Sequence, residues 1–141
     1  MKKSGSAVWS GGLKDGKGNI STESGALDNT QYGFNTRFED GPGSNPEELI
    51  GAAHAACFTM ALSGQLGEAG MTAKRLMTTA TVTLEKGDDG YSITEVHLNL
   101  VATIPGADQA AFEAAALRAK VGCPVSKLLN AHVTLDARLE N

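Results

Sequence analysis

Asn45-Pro46-Glu47-Glu48-Leu49-Ile50-Gly51-Ala52-Ala53-His54-Ala55-Ala56-Cys57-Phe58-Thr59-Met60-Ala61-Leu62, trailing off through Gly64 and Gly67 to Gly70, is the stretch around which the rest of the chain is organised. Its opening is a helix start signal: an Asn cap, Pro at the first helical position and acids in the first turn, where the dipole favours negative charge. Asn45 followed three residues later by Glu48 matches the spacing of a capping box. Beyond the first turn the residues are apolar or small almost all the way round, and a helix with no wide polar face is buried on every side. A half-buried sheet covers one side of such a helix, so the remainder needs a second layer. A second copy of the chain is the economical source, and the pattern predicts an obligate homodimer with its central helices packed together.

The composition sets outer bounds. A chain of 141 residues is most simply one domain, here residues 1–141, with a core of its own. Its 12 basic and 16 acidic residues give a net charge of −4, and neither sign gathers into a block, which argues against nucleic acid or an anionic membrane as partner. Glu47, Glu48 and His54 interrupt the most apolar segment, so no membrane span is expected. Met1-Lys2-Lys3 is followed by Ser4-Gly5-Ser6 rather than an apolar run, which does not read as a signal peptide. The expectation is a soluble cytoplasmic protein, where two cysteines rarely form a permanent staple.

Working outward from the helix, residues 1–44 read as short strands: Ala7-Val8-Trp9-Ser10, a turn at Lys14-Asp15-Gly16-Lys17-Gly18, then a return from Asn19 to Ser24. Tyr32 to Glu39 alternates as a third strand, with Tyr32, Phe34, Thr36 and Phe38 on one face and Arg37 on the other. On the far side, residues 76–103 form a hairpin: Leu76 to Lys86, a turn at Gly87-Asp88-Asp89-Gly90, and Tyr91 to Thr103 with Val96, Leu98, Leu100 and Ala102 facing inward. Residues 107–130 hold two helices, the first capped by Asp108, the second with Cys123 at its cap and Pro124 at its first position. The strand in residues 131–140 turns Val133, Leu135, Ala137 and Leu139 inward. The class is α+β with largely antiparallel sheet.

Two cysteines are the candidates for chemistry. Cys57 sits mid-helix in apolar surroundings, which make a thiol inert unless a cation approaches; Cys123 sits at a helix start, which favours a thiolate. They are too far apart in sequence for a Cys-x-x-Cys motif, and a pair brought together by folding suits a nucleophile with a resolving thiol. Inert buried thiols are the plainer reading. His54 and Cys57, three apart on one helix face, raise a zinc site with Cys123 as third ligand, although the usual ligand spacings are missing. His97 and His132 fall on outward strand positions, and Arg37, Glu47 and Glu48 also read as solvated charges. Residue patterns by themselves stop at an α+β domain with a suggestive thiol pair.

Three blocks go further. Tyr32-Gly33-Phe34-Asn35-Thr36-Arg37-Phe38-Glu39, Asn45 to Phe58, and Gly122-Cys123-Pro124-Val125-Ser126 together closely resemble the osmotically inducible protein C (OsmC) family, which includes the organic hydroperoxide resistance (Ohr) proteins. The likeness runs in order down to Val133-Thr134-Leu135-Asp136, and Phe34 to Phe38 is similar to the OsmC branch in particular. It implies antiparallel sheets wrapped around two long central helices in an intertwined homodimer, with active sites at the subunit interface. It further implies thiol-dependent reduction of peroxides, organic hydroperoxides above all, and less efficiently hydrogen peroxide. By the same resemblance Cys57 attacks the peroxide, Cys123 resolves it as a disulfide, Arg37 activates Cys57 and Glu47 orients Arg37. Phe34, Phe38, Leu49, Phe58 and Met60 are candidates for an apolar pocket lining that would favour an alkyl or lipid peroxide over hydrogen peroxide. No cofactor or metal is implied, and the oxidised pair returns to the thiol state through an external dithiol, of lipoyl type in the Ohr branch.

A guanidinium beside Cys57 would offset the apolar burial that raises its pKa. Glu47 and Cys57 are ten residues apart, about 15 Å along a straight helix. Either the helix breaks between them or Arg37 and Glu47 reach Cys57 from the other subunit, and the latter is the expectation. The alternative from a different class is a redox sensor or hydrophobic-ligand binder without turnover; no helix-turn-helix or basic stripe suggests direct action on DNA.

Overall fold

Six strands and four helices are described by the computed structural model, which covers residues 1–141. In order they are β1 (Gly5–Ser10), β2 (Lys17–Thr22), β3 (Thr30–Tyr32), α1 (Phe34–Phe38), α2 (Pro46–Glu68), β4 (Arg75–Gly87), β5 (Gly90–Thr103), α3 (Gln109–Gly122), α4 (Pro124–Leu128) and β6 (His132–Leu139). The chain divides into two compact units, Met1–Leu49 and Ile50–Asn141, with α2 running across the division.

The N-terminal unit is an antiparallel sheet in the order β1-β2-β3. Trp9, Gly18 and Tyr32 lie in one row across it. Gly18 contributes no side chain, and the rings of Trp9 and Tyr32 close over the gap with centroids 5.5 Å apart, where any Cβ would collide with both. The strand expected from Tyr32 to Glu39 is not formed: β3 ends at Tyr32, and Phe34–Phe38 is the helix α1. The alternation misleads because Phe34 and Phe38 are neighbours in either geometry, as alternate strand residues or as an i,i+4 helical pair. Local hydrogen bonds decide for the helix. The Thr36 hydroxyl accepts the Gly33 N–H at 2.9 Å, and the N–H groups of Glu39 and Gly41 both close on the Asn35 carbonyl.

The start of α2 is as expected: Asn45 Oδ1 accepts the Glu48 N–H at 2.9 Å. Its end is a Schellman turn, with Gly70 at φ 75°, Gly70 N–H on the Gly67 carbonyl and Met71 N–H on the Leu66 carbonyl. In the C-terminal unit the helix buries a single stripe, Gly51, His54, Phe58, Leu62 and Leu66. The opposite side, Ala52, Ala53, Ala56, Met60, Gly64 and Gly67, is exposed in the chain. By length and composition α2 is long and apolar enough to cross a membrane, which corrects the expectation that its charged residues disqualify it. Here it is a packing element. Gly51 lets the helix approach β4 so closely that a Cβ would stand 3.1 Å from the Ala80 carbonyl oxygen.

The C-terminal sheet has the order β4-β5-β6. β4 and β5 form the expected hairpin around Asp88-Asp89, with Gly90 at φ 107° and a bulge at Thr83/Leu84. β6 pairs with β5 in parallel, so the sheet is not antiparallel throughout. The cause is the connection: α3 and α4 carry the chain back across the sheet before β6 begins, and a crossover returns a strand in the same direction. The core consists of Phe58, Leu62 and Leu66 from α2, Val96, Leu98, Leu100 and Ala102 from β5, and Phe112, Ala115 and Ala119 from α3, all essentially unexposed. The inward residues of β6 pack against it. At about 1.5–3 kcal/mol for each large apolar side chain buried, this cluster is what fixes the middle of α2 in place.

Candidate active site

In the N-terminal unit the site is built on Asn45. Its Oδ1 caps α2 while its Nδ2 donates to the Thr36 carbonyl at 3.1 Å, so one side chain ties the end of α1 to the start of α2. That tie sets Arg37 against Glu47. Arg37 Nη2 donates to Glu47 Oε1 at 2.8 Å, and Nε reaches Oε1 and Oε2 at 3.1 and 3.2 Å. Glu47 is the more enclosed partner, its side chain 13% exposed against 39% for Arg37. A guanidinium held on two carboxylate oxygens keeps its direction far better than a single contact allows. Phe34 and Phe38 pack at 4.9 Å, and the Arg37 Cζ lies 5.4 Å from the Phe38 ring centre. Arg37 is therefore beside the aromatic residues, not on the opposite face, as the helix replacing the expected strand requires. Trp9, Leu13, Tyr32, Phe34 and Phe38 enclose, with Arg37, an apolar cavity of about 230 Å³.

In the C-terminal unit the two cysteines, distant in sequence, meet. Both are free thiols, Cys57 half-buried and Cys123 fully buried. Burial pushes the Cys57 thiol up from its ordinary value. A side-chain hydrogen bond with Cys123 acts the same way, the Val125 N–H pulls it down, and charge on Cys123 raises it further. No cation is among these influences. Cys123 caps α4 with Pro124 behind it, as expected, while its backbone N–H bonds the Ala119 carbonyl at the end of α3. It thus stands at the joint between two helices.

His54, one turn before Cys57, is wholly buried. Its Nε2 lies 2.7 Å from Ser126 Oγ, its Nδ1 has no partner, and burial lowers its pKa below the ordinary 6.5. His54, Cys57 and Cys123 do not form a metal-holding group, nor do any other three His, Cys, Asp or Glu residues. His97 is drawn into the sheet surface by Thr134 at 2.6 Å and Asp136 at 3.2 Å.

The residues expected to line a pocket are scattered. Phe34 and Phe38 wall the cavity beside Arg37. Leu49 borders a separate hollow against β1 and β2, and Met60, 79% exposed, borders an open groove between α2 and the start of β4. Phe58 has no exposed surface and belongs to the core. Trp9 and Tyr32 line the cavity without having been singled out; their signal was Gly18, the gap that two cross-strand aromatic residues cover. Ser126 and the Val125 N–H were also missed, although Ser126 follows Cys123 at the same three-residue interval by which His54 precedes Cys57.

The family described as OsmC-like protein matches residues 39–138. The chain is 55% identical over 141 residues to peroxiredoxin OsmC of Escherichia coli (strain K12), covering 100% of this chain and 99% of that protein, and equally so to peroxiredoxin OsmC of Shigella flexneri. Among solved structures, the organic hydroperoxide resistance protein OhrB of Bacillus subtilis superposes with a TM-score of 0.68 at 25% identity, over 97% of this chain and 98% of that one. An OsmC-like protein of Vibrio cholerae reaches 0.78 at 15% identity, over 97% and 99%, a likeness of fold. From its blocks, its fold and these likenesses, the chain belongs to the OsmC family, in its OsmC branch.

Proposed function

We propose that this protein is a thiol peroxidase that reduces organic hydroperoxides through Cys57, with Cys123 as the resolving thiol. Peroxiredoxin chemistry is the reading supported by 55% identity across the full chain to two proteins of that name. The observation that carries the finer reading is that folding brings Cys57, on α2, and Cys123, at the head of α4, close enough for Cys123 to raise the Cys57 pKa. In the first step the Cys57 thiolate attacks the distal peroxide oxygen. An S–O bond forms, the O–O bond breaks, and the electron pair leaves on an alkoxide that takes a proton to become the alcohol. In the second step Cys123 sulfur attacks Cys57 sulfur. The S–S bond forms, the S–O bond breaks, and the departing hydroxide takes the Cys123 proton as water. An external dithiol then reduces the disulfide by exchange.

Cys57 needs a cation to become a thiolate, because every strong influence in its surroundings except the Val125 N–H disfavours ionisation. Arg37, held by Glu47, is the cation we assign. α2 is unbroken from Pro46 to Glu68, so Glu47 and Cys57 are about 15 Å apart along its axis. The Arg37–Glu47 pair therefore serves Cys57 of a second copy, and the exposed apolar side of α2 supports a homodimer built on that helix. The aromatic cavity beside Arg37, with Phe34 and Phe38, receives the alkyl or aryl group of the peroxide.

Steady-state turnover of cumene hydroperoxide against hydrogen peroxide, with dihydrolipoamide, glutathione and thioredoxin compared as donors, tests the reading. Cys57→Ser loses all turnover, while Cys123→Ser still consumes about one equivalent of peroxide, the stoichiometry of a sulfenic acid with no partner. Equal loss from both variants would overturn the assigned roles. Indifference to the peroxide's organic group would remove the cavity from the argument, and oxidation without repeated turnover under every donor would point to a sensor.

A further inference from the structure

His54 is costly where it stands. A wholly buried imidazole with one nitrogen unpartnered forgoes a hydrogen bond that water would have supplied, a penalty that leucine or methionine in the same space would avoid. Packing therefore does not explain the residue, whichever nitrogen carries the proton. What the imidazole does have is one short bond, to Ser126 Oγ at 2.7 Å. That bond joins the helix that carries Cys57 to the helix that Cys123 caps, with His54 three residues before one thiol and Ser126 three residues after the other.

α4 needs such a tie. It is five residues long and none of them is buried, although Val125 and the following Leu129 rest partly against the core. A single helical turn and a half has little packing with which to hold its place. Yet α4 presents the Val125 N–H to Cys57 and starts at Cys123, so any drift of this helix moves the resolving thiol relative to its target.

We propose that the His54–Ser126 hydrogen bond is a positioning clamp that seats α4 on α2 and so governs how fast oxidised Cys57 is captured by Cys123, without acting on the peroxide step. The inference rests on the thiol-peroxidase reading. The step it governs is the condensation of Cys57 sulfenic acid with the Cys123 thiol to a disulfide and water. Slower capture leaves the sulfenic acid open to a second peroxide and to irreversible sulfinic acid.

The test uses the reduced full-length protein and one equivalent of cumene hydroperoxide, following peroxide loss, dimedone-trapped sulfenic acid and free thiols. Ser126→Ala consumes peroxide at the wild-type rate but closes the disulfide about tenfold more slowly or worse, as expected for a misplaced reacting group. Ser126→Thr, which keeps the hydroxyl, restores the rate. His54→Leu, which cannot hydrogen-bond, breaks the bond from the other side, and the double variant closes no more slowly than either single one, since both remove the same contact. Independently of any peroxide, equilibration with glutathione finds the Ser126→Ala disulfide potential less negative by about 30 mV, the equivalent of a tenfold loss. A wild-type disulfide rate in Ser126→Ala, or a slowing of both steps that Thr does not repair, would overturn the clamp and leave the peroxidase reading intact. A wild-type protein that forms no disulfide with peroxide would overturn both.

Discussion

His54 makes a pH-dependent contribution to stability whose sign and ceiling follow from its burial. Burial lowers its folded pKa below the ordinary 6.5. As pH falls, the unfolded chain takes up the proton first and is favoured. The stability is therefore complete above pH 6.5 and is lost progressively as pH falls toward the folded value. The loss cannot exceed about 1.4 kcal/mol per pH unit, the worth of one proton, so about 1.4 kcal/mol separates pH 7.5 from pH 5.5 at most. Against a total of roughly 5–15 kcal/mol for a domain this is measurable. Urea unfolding at half-unit steps from pH 5 to pH 7.5, followed by the fluorescence of Trp9 and by circular dichroism, gives the curve. With m near 2 kcal/mol/M, the midpoint shifts by about 0.7 M urea over the window. His54→Gln lowers the whole curve but removes this part of its slope, and the difference between the two curves is the measurement. Parallel curves for wild type and variant, or a wild type that gains stability toward pH 5, would refute the reasoning.

Other perturbations probe the remaining parts. Glu47→Gln frees Arg37 from its two-oxygen contact, and the second-order rate of Cys57 oxidation by cumene hydroperoxide falls about tenfold or more; an unchanged rate would take the ion pair out of thiol activation. Cys57 alkylation by iodoacetamide has a higher pH midpoint in Arg37→Gln than in the wild type, because the variant lacks the proposed cation, while coincident profiles would argue against Arg37 as the activating cation. Phe58→Ala lowers unfolding stability by about 3–5 kcal/mol, read from urea curves at pH 7.5, because its ring is fully enclosed between α2 and the sheet; a loss under about 1 kcal/mol would mean that the core collapses around the gap.

Much of this architecture was legible in the chain because it is written in local chemistry. Asn45-Pro46, Asp108 and Cys123-Pro124 each mark a helix start with residues whose side chains or fixed φ suit that position, and each starts a helix. The β4–β5 hairpin and the inward faces of β5 and β6 follow from two-residue alternation around Asp88-Asp89 and before Glu140. Over residues 32–39 the alternation does not separate strand from helix, because a two-residue and a four-residue interval both place Phe34 and Phe38 together. What separates the two is a hydroxyl at Thr36 turning back on Gly33, a contact with no periodicity. The parallel sense of β6 was hidden for another reason: strand patterns record which face is buried, not which way the neighbouring strand runs.

The sequence by itself determined the family, the two candidate thiols, the pairing candidates Arg37 and Glu47, and an apolar α2 with no wide polar face. These depend on residue identity and short spacing, which a chain displays before it folds. The tertiary structure alone decided that Cys57 and Cys123 are neighbours, that Asn45 links α1 to α2 so that Arg37 meets Glu47, that Phe58 belongs to the core, and that His54 reaches Ser126. Each joins residues through the packing of separate elements, and no local pattern encodes where a crossover will set a five-residue helix down.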